Sequence, residues 1–502
     1  SVSSSRDAPR CVFQGELMAS LLCICVQAPH PGGNYVDIGD SDDELVNQMP
    51  SPYVPASILN QVTIWQSLPE TYVHARRDGE EGLYFNENSH FARSVASSVE
   101  GLSSWMGWYK APWWLRQGDA MTMYQALNRQ ADPVDYDRHE VEMLDGGVVG
   151  LDVLERVGGV VPPSPKATSA VALLVHGVGS SSEEPYVVNM ASRLAESGFA
   201  VLALNLRGSG DCPLKTPRFN SFCRGSTDDV RVTIRYIREK ILGGGSVGER
   251  AHITMIGWSM GGSIVSNTLA EQNTGTGRGH AGRLSTADAG VCLGMPMDAA
   301  QAVANIEASA LQRIFYGNQL KQELMEVLKE VEHVFRDREV TQWPDHKCPA
   351  NVDFDAVLKS NTISEMDEAL TRKVYGYDSL EEYYEDSSPC NKLGKVSVPL
   401  LMVNSADDPM SGGWVPLQEI RKNQNIILAY TRYGGHIGWR DANDPTHSKW
   451  LEAVVCDFLT MATGPRRAMS SFSSSDSRSG SGSLELLEDS QSRHMSEKVS
   501  WM

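Results

Sequence analysis

Short runs of consecutive apolar residues recur along this chain, separated by stretches in which the apolar positions fall at helical spacing. Residues 170–175 and 199–204 are apolar throughout, which predicts strands covered on both faces of a sheet. Further strands are predicted from Ile253 and over 291–294, 400–403 and 426–429. Between them, residues 185–197 carry apolar side chains at 187, 190, 191 and 194. Glu183 and Glu184 stand at the positive end of that helix and Gly198 stops it. Val230, Ile234, Ile237 and Ile241 repeat at helical spacing within 228–242, and another helical pattern begins at Ser263. A last amphipathic helix carries Leu451, Val454, Val455, Phe458 and Ala462. Ahead of all these, 140–144 and 149–155 alternate with the period of strands across Asp145-Gly146-Gly147, a hairpin signal. Strands that alternate with helices predict an α/β fold whose mainly parallel, doubly wound sheet is covered on both faces.

Residues 298–395 interrupt the alternation with charge-rich helical sequence, in which Ile314, Phe315, Leu320, Leu324, Val327, Leu328 and Val331 share one face. Such an insertion is expected to form a helical lid over the carboxyl edge of the sheet, where sites in these sheets lie. Its Trp343, Tyr375 and Tyr377 read as lid core, with the wall of an apolar pocket as the alternative. A Gly-rich surface loop is predicted at 273–282. The expected organisation is a poorly ordered segment at 1–90, a main domain at 91–464 and a disordered Ser-rich tail at 465–502. Within that tail, Ser470 follows Arg467 at the spacing of a basophilic-kinase site. The aromatic cluster Trp105, Trp108, Tyr109, Trp113 and Trp114 reads as an arm packed on the core, with a lipid-facing surface as the alternative.

Composition narrows the function. A formal net charge of −19 over 502 residues argues against a nucleic-acid partner, because phosphate binding needs a basic face. The nine cysteines are scattered and include no Cys-x-x-Cys pair, which suggests reduced thiols rather than disulfides or a zinc site. The apolar run at 17–26 is far shorter than the roughly 20 residues of a membrane span. Arg6 and Arg10 precede it, so it fits the core of a signal peptide or an anchor. The expectation is a monomer with a cytosol-facing domain, cytoplasmic or attached to a membrane peripherally or through its N-terminus.

The candidate chemistry centres on Gly257-Trp258-Ser259-Met260-Gly261, where a predicted strand turns abruptly into a predicted helix. Glycines on either side permit a bend that lifts the Ser259 hydroxyl clear of the sheet. Gly244-Gly245-Ser246-Val247-Gly248 matches the same pattern, but it follows a helix and precedes a strand. The overlapping Gly243-x-Gly245-x-x-Gly248 imitates a dinucleotide fingerprint, and is rejected because it follows no strand and opens no predicted helix. A serine nucleophile needs a base, a group that orients the base, and donors for the oxyanion. His436, within Gly434-Gly435-His436-Ile437-Gly438 after the last strand, is the candidate base. Asp408 is the preferred acid, Asp407 is read as turning inward onto the loop backbone, and Asp298 ranks third. The backbone N–H groups of Met260 and Val178 are the candidate oxyanion donors. His176 is read as structural. The resulting chemistry, hydrolysis of acyl esters through an acyl-enzyme, calls for no cofactor and no metal. The alternatives are acyl transfer to an alcohol, at which His436 and Asp441 hint by their spacing, and a binding protein on an inactive site.

The motifs carry a resemblance through about residues 110–462. Pro112-Trp113-Trp114-Leu115-Arg116, the segment from His176-Gly177-Val178-Gly179 to Pro185-Tyr186, and Asn205-Leu206-Arg207-Gly208 all contribute. So do Gly257–Gly262, Phe315-Tyr316-Gly317, Ala406-Asp407-Asp408-Pro409 and the His436 loop. Together they resemble the α/β-hydrolases of the YheT-like, embryogenesis-associated branch, also termed AB hydrolase 4. The resemblance implies Ser259, Asp408 and His436 as triad and lipid esters as substrates: monoacylglycerols, phospholipids or medium-chain fatty esters. Some relatives are acyltransferases and many carry an N-terminal anchor. Where that branch usually has His before Gly-x-Thr, this chain has Cys223-Arg224-Gly225-Ser226-Thr227, a change expected to alter the pocket wall.

Overall fold

A computed structural model describes residues 81–463, apart from 104–106, 128–129, 273–284 and all but a few positions within 309–351. Nine strands form one sheet: β1 (Gly82–Phe85), β2 (Val134–Glu142), β3 (Val148–Val157), β4 (Ala170–Val175), β5 (Ala200–Asn205), β6 (His252–Trp258), β7 (Ala289–Leu293), β8 (Leu400–Ser405) and β9 (Ile426–Thr431). Their order is β1-β9-β8-β7-β6-β4-β5-β3-β2. The six strands from β9 to β5 are parallel, and antiparallel β1 and the β3–β2 hairpin close the two edges. The helices used below are α1 (His90–Ser98), α2 (Gly118–Leu127), α3 (Pro185–Glu196), α4 (Arg224–Tyr236), α5 (Met260–Glu271), α6 (Ala299–Glu307), α7 (Leu380–Ser387) and α8 (Lys449–Thr463).

Alternation along each central strand divides the core in two. Ala170, Ala172 and Leu174 of β4 pack with α3, α8 and the N-terminal arm, while Val171, Leu173 and Val175 pack with α4 and α5 on the opposite face. Continuous apolar runs therefore became strands buried on both sides, as their composition predicts. The segment expected to be poorly ordered, 1–90, is different at its end. β1 lies inside it, pairing with β9, and α1 begins at His90. A four-residue strand is too short for its periodicity to show. The aromatic arm packs on the core: Trp108 and Tyr109 both contact Trp450 of α8, and Trp108 Nε1 donates to Glu81 at 2.7 Å. Trp114 meets Tyr124 edge-on, whereas Trp113 is exposed. Trp105, the Gly-rich loop and Trp343 lie outside the described residues.

Two glycine-rich segments differ from expectation. Gly245–Arg250 is a six-residue helix, so the dinucleotide-like pattern does open a helix, contrary to the sequence reading. It still follows no strand, but the π-helical turn Ile237–Ile241 that extends α4. Its glycines serve packing, since a Cβ on Gly248 would sit 2.4 Å from the Arg238 carbonyl oxygen. Helix α5 starts at Met260 rather than Ser263, because Gly261 and Gly262 in its first turn leave no apolar periodicity to read.

The β2–β3 turn is tied to the sheet through Arg207. Its guanidinium, buried after β5, is bidentate to Asp145 of the hairpin turn and to Asp229 of α4. Over the carboxyl edge, α6, the short helix Phe354–Lys359, the helical run from Ile363 to Tyr375 and α7 belong to the described part of the lid. It has its own small core, in which Leu328, Phe354, Met366 and Leu370 meet Leu214 and Phe219. The rest of the amphipathic face around 311–331 lies outside the described residues. Tyr375 and Tyr377 pack within this insertion, and their hydroxyls bond the Phe219 carbonyl and Asp386.

Candidate active site

β6 ends at Trp258 and α5 begins at Met260, leaving Ser259 to make the whole turn at φ 52° and ψ −123°. That backbone is unfavourable for a residue with a Cβ and is held by its surroundings. Ser259 N–H donates to the Leu293 carbonyl at 2.9 Å. The flanking glycines are there for close approach: a Cβ on Gly257 would lie 2.2 Å from the Gly261 carbonyl oxygen, and one on Gly261 2.2 Å from that of Val175. The helix thus presses directly on the strand ends, with the hydroxyl at the apex.

The structure brings Ser259, His436 and Asp408 together. His436 Nε2 lies 2.8 Å from Ser259 Oγ, and its Nδ1 lies 2.9 and 3.1 Å from the two carboxylate oxygens of Asp408. A carboxylate can only accept, so Nδ1 carries the proton and Nε2 is the acceptor for the serine hydroxyl. Asp408 is itself oriented by the N–H groups of Met410 and Ser411, at 2.8 and 3.0 Å. Asp298, the third choice of acid, caps α6 by accepting from the Gln301 N–H and takes no part.

Asp407 turns inward, and its Oδ1 accepts the Gly435 N–H of the histidine loop at 2.9 Å. Burial pushes its carboxyl up to about 6. Folding therefore favours its protonated form, and its contribution to stability declines as pH rises from the ordinary value of 3.8 through about 6. Asp407→Asn keeps the acceptor for Gly435 without the buried charge. Its melting temperature relative to wild type should rise between about pH 4 and pH 8, as measured by differential scanning calorimetry. A constant or falling difference would show that the carboxylate is not destabilised by its site.

His176 lies in the loop after β4. Its Nδ1 donates to the Gly177 carbonyl at 2.7 Å and its Nε2 accepts the Leu206 N–H at 3.1 Å. Burial pushes the imidazole down to about 4, so it is a neutral strut between two loops. That strut sets the backbone that follows. Gly177 N–H donates to the Tyr186 hydroxyl, while the N–H groups of Val178 and Met260 have no acceptor among the described residues. Both residues line the cavity that also contains Ser259 and His436. Two unspent donors beside a serine hydroxyl are the arrangement that can stabilise an oxyanion.

The cavity, of about 220 Å³, runs beneath the lid between α6, the loop 219–222 and the segment from Ile363. Its walls are mainly apolar. Cys223 is fully buried and does not line it, but the Ser221 hydroxyl that does lies 3.2 Å from the Cys223 sulfur. The departure at this position therefore lies behind the wall rather than in it. Asp441 is also remote from the chemistry: its carboxylate accepts the Lys449 N–H at the start of α8.

One supporting residue had no signal in the sequence. Thr122 of α2 accepts the His436 N–H on its hydroxyl at 2.8 Å, and a Cβ on Gly118 in the same helix would overlap the Asp407 carbonyl. The N-terminal arm therefore buttresses both loops of the site. Only proximity in three dimensions identifies it, because a threonine within a helix is commonplace.

Residues 172–448, more than half of the chain, match the model of the Alpha/beta hydrolase family. Phospholipase ABHD3 of Homo sapiens is 26% identical over 347 residues, covering 69% of this chain and 77% of that protein. Embryogenesis-associated protein EMB8 of Picea glauca is 26% identical over 346 residues, covering 67% and 69% respectively. Monoacylglycerol lipase of Saccharomyces cerevisiae is 25% identical over 303 residues, covering 59% and 61%. The family match agrees with the mixed, mostly parallel sheet and its helices on both faces. The chain belongs to the alpha/beta hydrolase family.

Proposed function

We propose that this protein hydrolyses carboxylic esters of lipids, with Ser259 as nucleophile, His436 as general base and acid, and Asp408 as the group that orients the imidazole. The observation that carries the reading is the contact of His436 with both Ser259 and Asp408 at the edge of an apolar cavity. Ser259 Oγ attacks the ester carbonyl as its proton passes to His436 Nε2. The Val178 and Met260 N–H groups hold the oxyanion, and collapse of the intermediate expels the alcohol, which takes the proton from Nε2. Water then attacks the acyl-enzyme with the same help, releasing the acid and restoring Ser259. Relatives named phospholipase and monoacylglycerol lipase support a lipid ester as substrate. The apolar cavity fits an acyl chain.

The test incubates the protein with monoacylglycerols and lysophospholipids of short, medium and long acyl chain, in the presence of ethanol, and identifies products by mass. Free fatty acid is the expected product. Ethyl ester in its place would make the protein an acyltransferase, and the absence of both would reject the ester reading.

A further inference from the structure

The arm between α1 and β2 is fastened to the loops of the site at both ends. The Tyr109 hydroxyl donates to the Arg440 carbonyl, just past the histidine loop, at 2.9 Å. Further along, the Thr122 hydroxyl accepts the His436 N–H, and a Cβ on Gly438 would sit 2.4 Å from the Met121 Cγ. The segment between these anchors, which includes the short helix Trp113–Leu115, therefore lies at the carboxyl edge of the sheet, beside the loops that carry Asp408 and His436.

Burial changes abruptly within it. Tyr109, Ala111 and Leu115 are buried, yet Trp113 among them is 68% exposed. Trp114 and Tyr124 are half-buried and meet edge-on at 5.1 Å. Leu127, three residues beyond Tyr124 and so its neighbour on the surface of α2, is 46% exposed. The other large apolar side chains exposed among the described residues, Leu144 and Val161, stand singly on either side of β3. Single exposed residues of that kind are ordinary, whereas a tryptophan left in water beside further apolar side chains marks a surface that meets something.

The same stretch runs against the charge of the chain. Residues 101–131 hold three cations, Lys110, Arg116 and Arg129, and a single acid, Asp119, in a protein whose formal net charge is −19. Lys110 and Arg116 are exposed on either side of Trp113, and neither forms an ion pair among the described residues. Aromatic rings flanked by cations suit the boundary of a lipid bilayer. Tryptophan settles between headgroups and acyl chains, where its ring is buried and its N–H still meets polar groups. Lysine and arginine beside it are drawn to negatively charged headgroups.

Resting on the lipid-ester reading for the choice of occupant, we propose that residues 110–116, with Tyr124 and Leu127 of α2, are a docking surface for an anionic lipid bilayer. Trp113 enters the headgroup region, and Lys110 and Arg116 face the anionic headgroups. Because the segment abuts the His436 loop, docking sets the carboxyl edge of the sheet against the membrane in which a water-insoluble ester resides.

The test measures binding of the full chain, by flotation, to vesicles of phosphatidylcholine alone and of phosphatidylcholine with an equal amount of phosphatidylserine. It compares wild type, Trp113→Ala, Trp113→Phe and the double variant Lys110→Gln, Arg116→Gln. In parallel, kcat/KM is read on a dissolved short-chain ester and on a monoacylglycerol held in the same vesicles. The Trp113 side chain is mostly in solvent, so its variants should fold. Wild type should bind the mixed vesicles. Trp113→Ala should bind them about tenfold more weakly, and Trp113→Phe should recover most of that loss. The double variant should lose about tenfold on the mixed vesicles and little on the neutral ones. Each variant should hydrolyse the dissolved ester within about twofold of wild type and cleave the vesicle-held ester less, in step with its binding.

No binding by wild type, or unchanged binding by Trp113→Ala, would overturn the inference. Equal losses on dissolved and vesicle-held esters would do so too, making Trp113 a support of the histidine loop. A wild-type dimer that Trp113→Ala dissolves in sedimentation velocity, without vesicle binding, would make the face a contact between two copies of the chain. Binding and hydrolysis are read separately. Vesicle binding that needs Trp113 in a protein that cleaves no ester would uphold this surface and reject only the ester reading.

Discussion

Ser259→Ala is expected to lower ester hydrolysis by about a thousandfold or more, with the fold intact. The reason is local. The hydroxyl bonds the His436 imidazole at 2.8 Å, and alanine keeps the Cβ that the turn at φ 52° already accommodates. The variant should melt close to wild type while losing both turnover and labelling by a fluorophosphonate. The residual rate should exceed that in water, because the Val178 and Met260 donors and the apolar cavity are untouched. Steady-state kinetics on a monoacylglycerol, with the labelling measured in parallel, decides the matter. A variant that retains near-wild-type turnover would remove Ser259 from the mechanism.

Asp408→Asn should be nearly as damaging, by about ten-thousandfold in kcat. Its carboxylate is the acceptor for His436 Nδ1 and is held by two backbone N–H groups. With those N–H groups still demanding the amide oxygen, the Asn NH₂ would face Nδ1. The imidazole would then be driven to the tautomer with its proton on Nε2, where it can no longer accept from Ser259. Asp407→Asn is the internal comparison. Its oxygen bonds the Gly435 N–H from the other side of the loop, and an amide oxygen can do the same, so the loss should be about tenfold or less. Reversal of the two effects, read as kcat on one substrate, would assign the acid to Asp407. The two aspartates adjoin in sequence but face different partners, Asp408 the imidazole and Asp407 the Gly435 N–H.

Much of this architecture was open to reading because its signals are local. Residues 170–175 are apolar at every position, and no solvent-facing strand could be. Val187, Met190, Ala191 and Leu194 can reach one core together only on a helix. Gly257 and Gly261 mark the strand–turn–helix because no side chain fits where two backbones meet at that distance. The start of α5 was less visible: its first turn is glycine, and tertiary packing rather than propensity makes it helical. β1 was hidden for a related reason, since four residues owe their strand conformation to pairing with β9 rather than to their own pattern.

The candidate site divides the same way. Sequence alone determined the sheet type, the strand ends that carry Ser259, Asp408 and His436, and the order of these residues along the chain, since each follows a run whose composition dictates a buried strand. Tertiary structure decided what those loops meet. It placed Thr122 under His436, joined His176 to Leu206, left two N–H groups unspent beside Ser259, and buried Trp108 while leaving Trp113 exposed. The physical reason is range. Hydrophobic periodicity and glycine sterics act between residues a few positions apart and leave a trace in the sequence. Hydrogen bonds between Thr122 and His436 span more than three hundred residues of chain, and neither partner differs from an ordinary helix or loop residue until the fold brings them together.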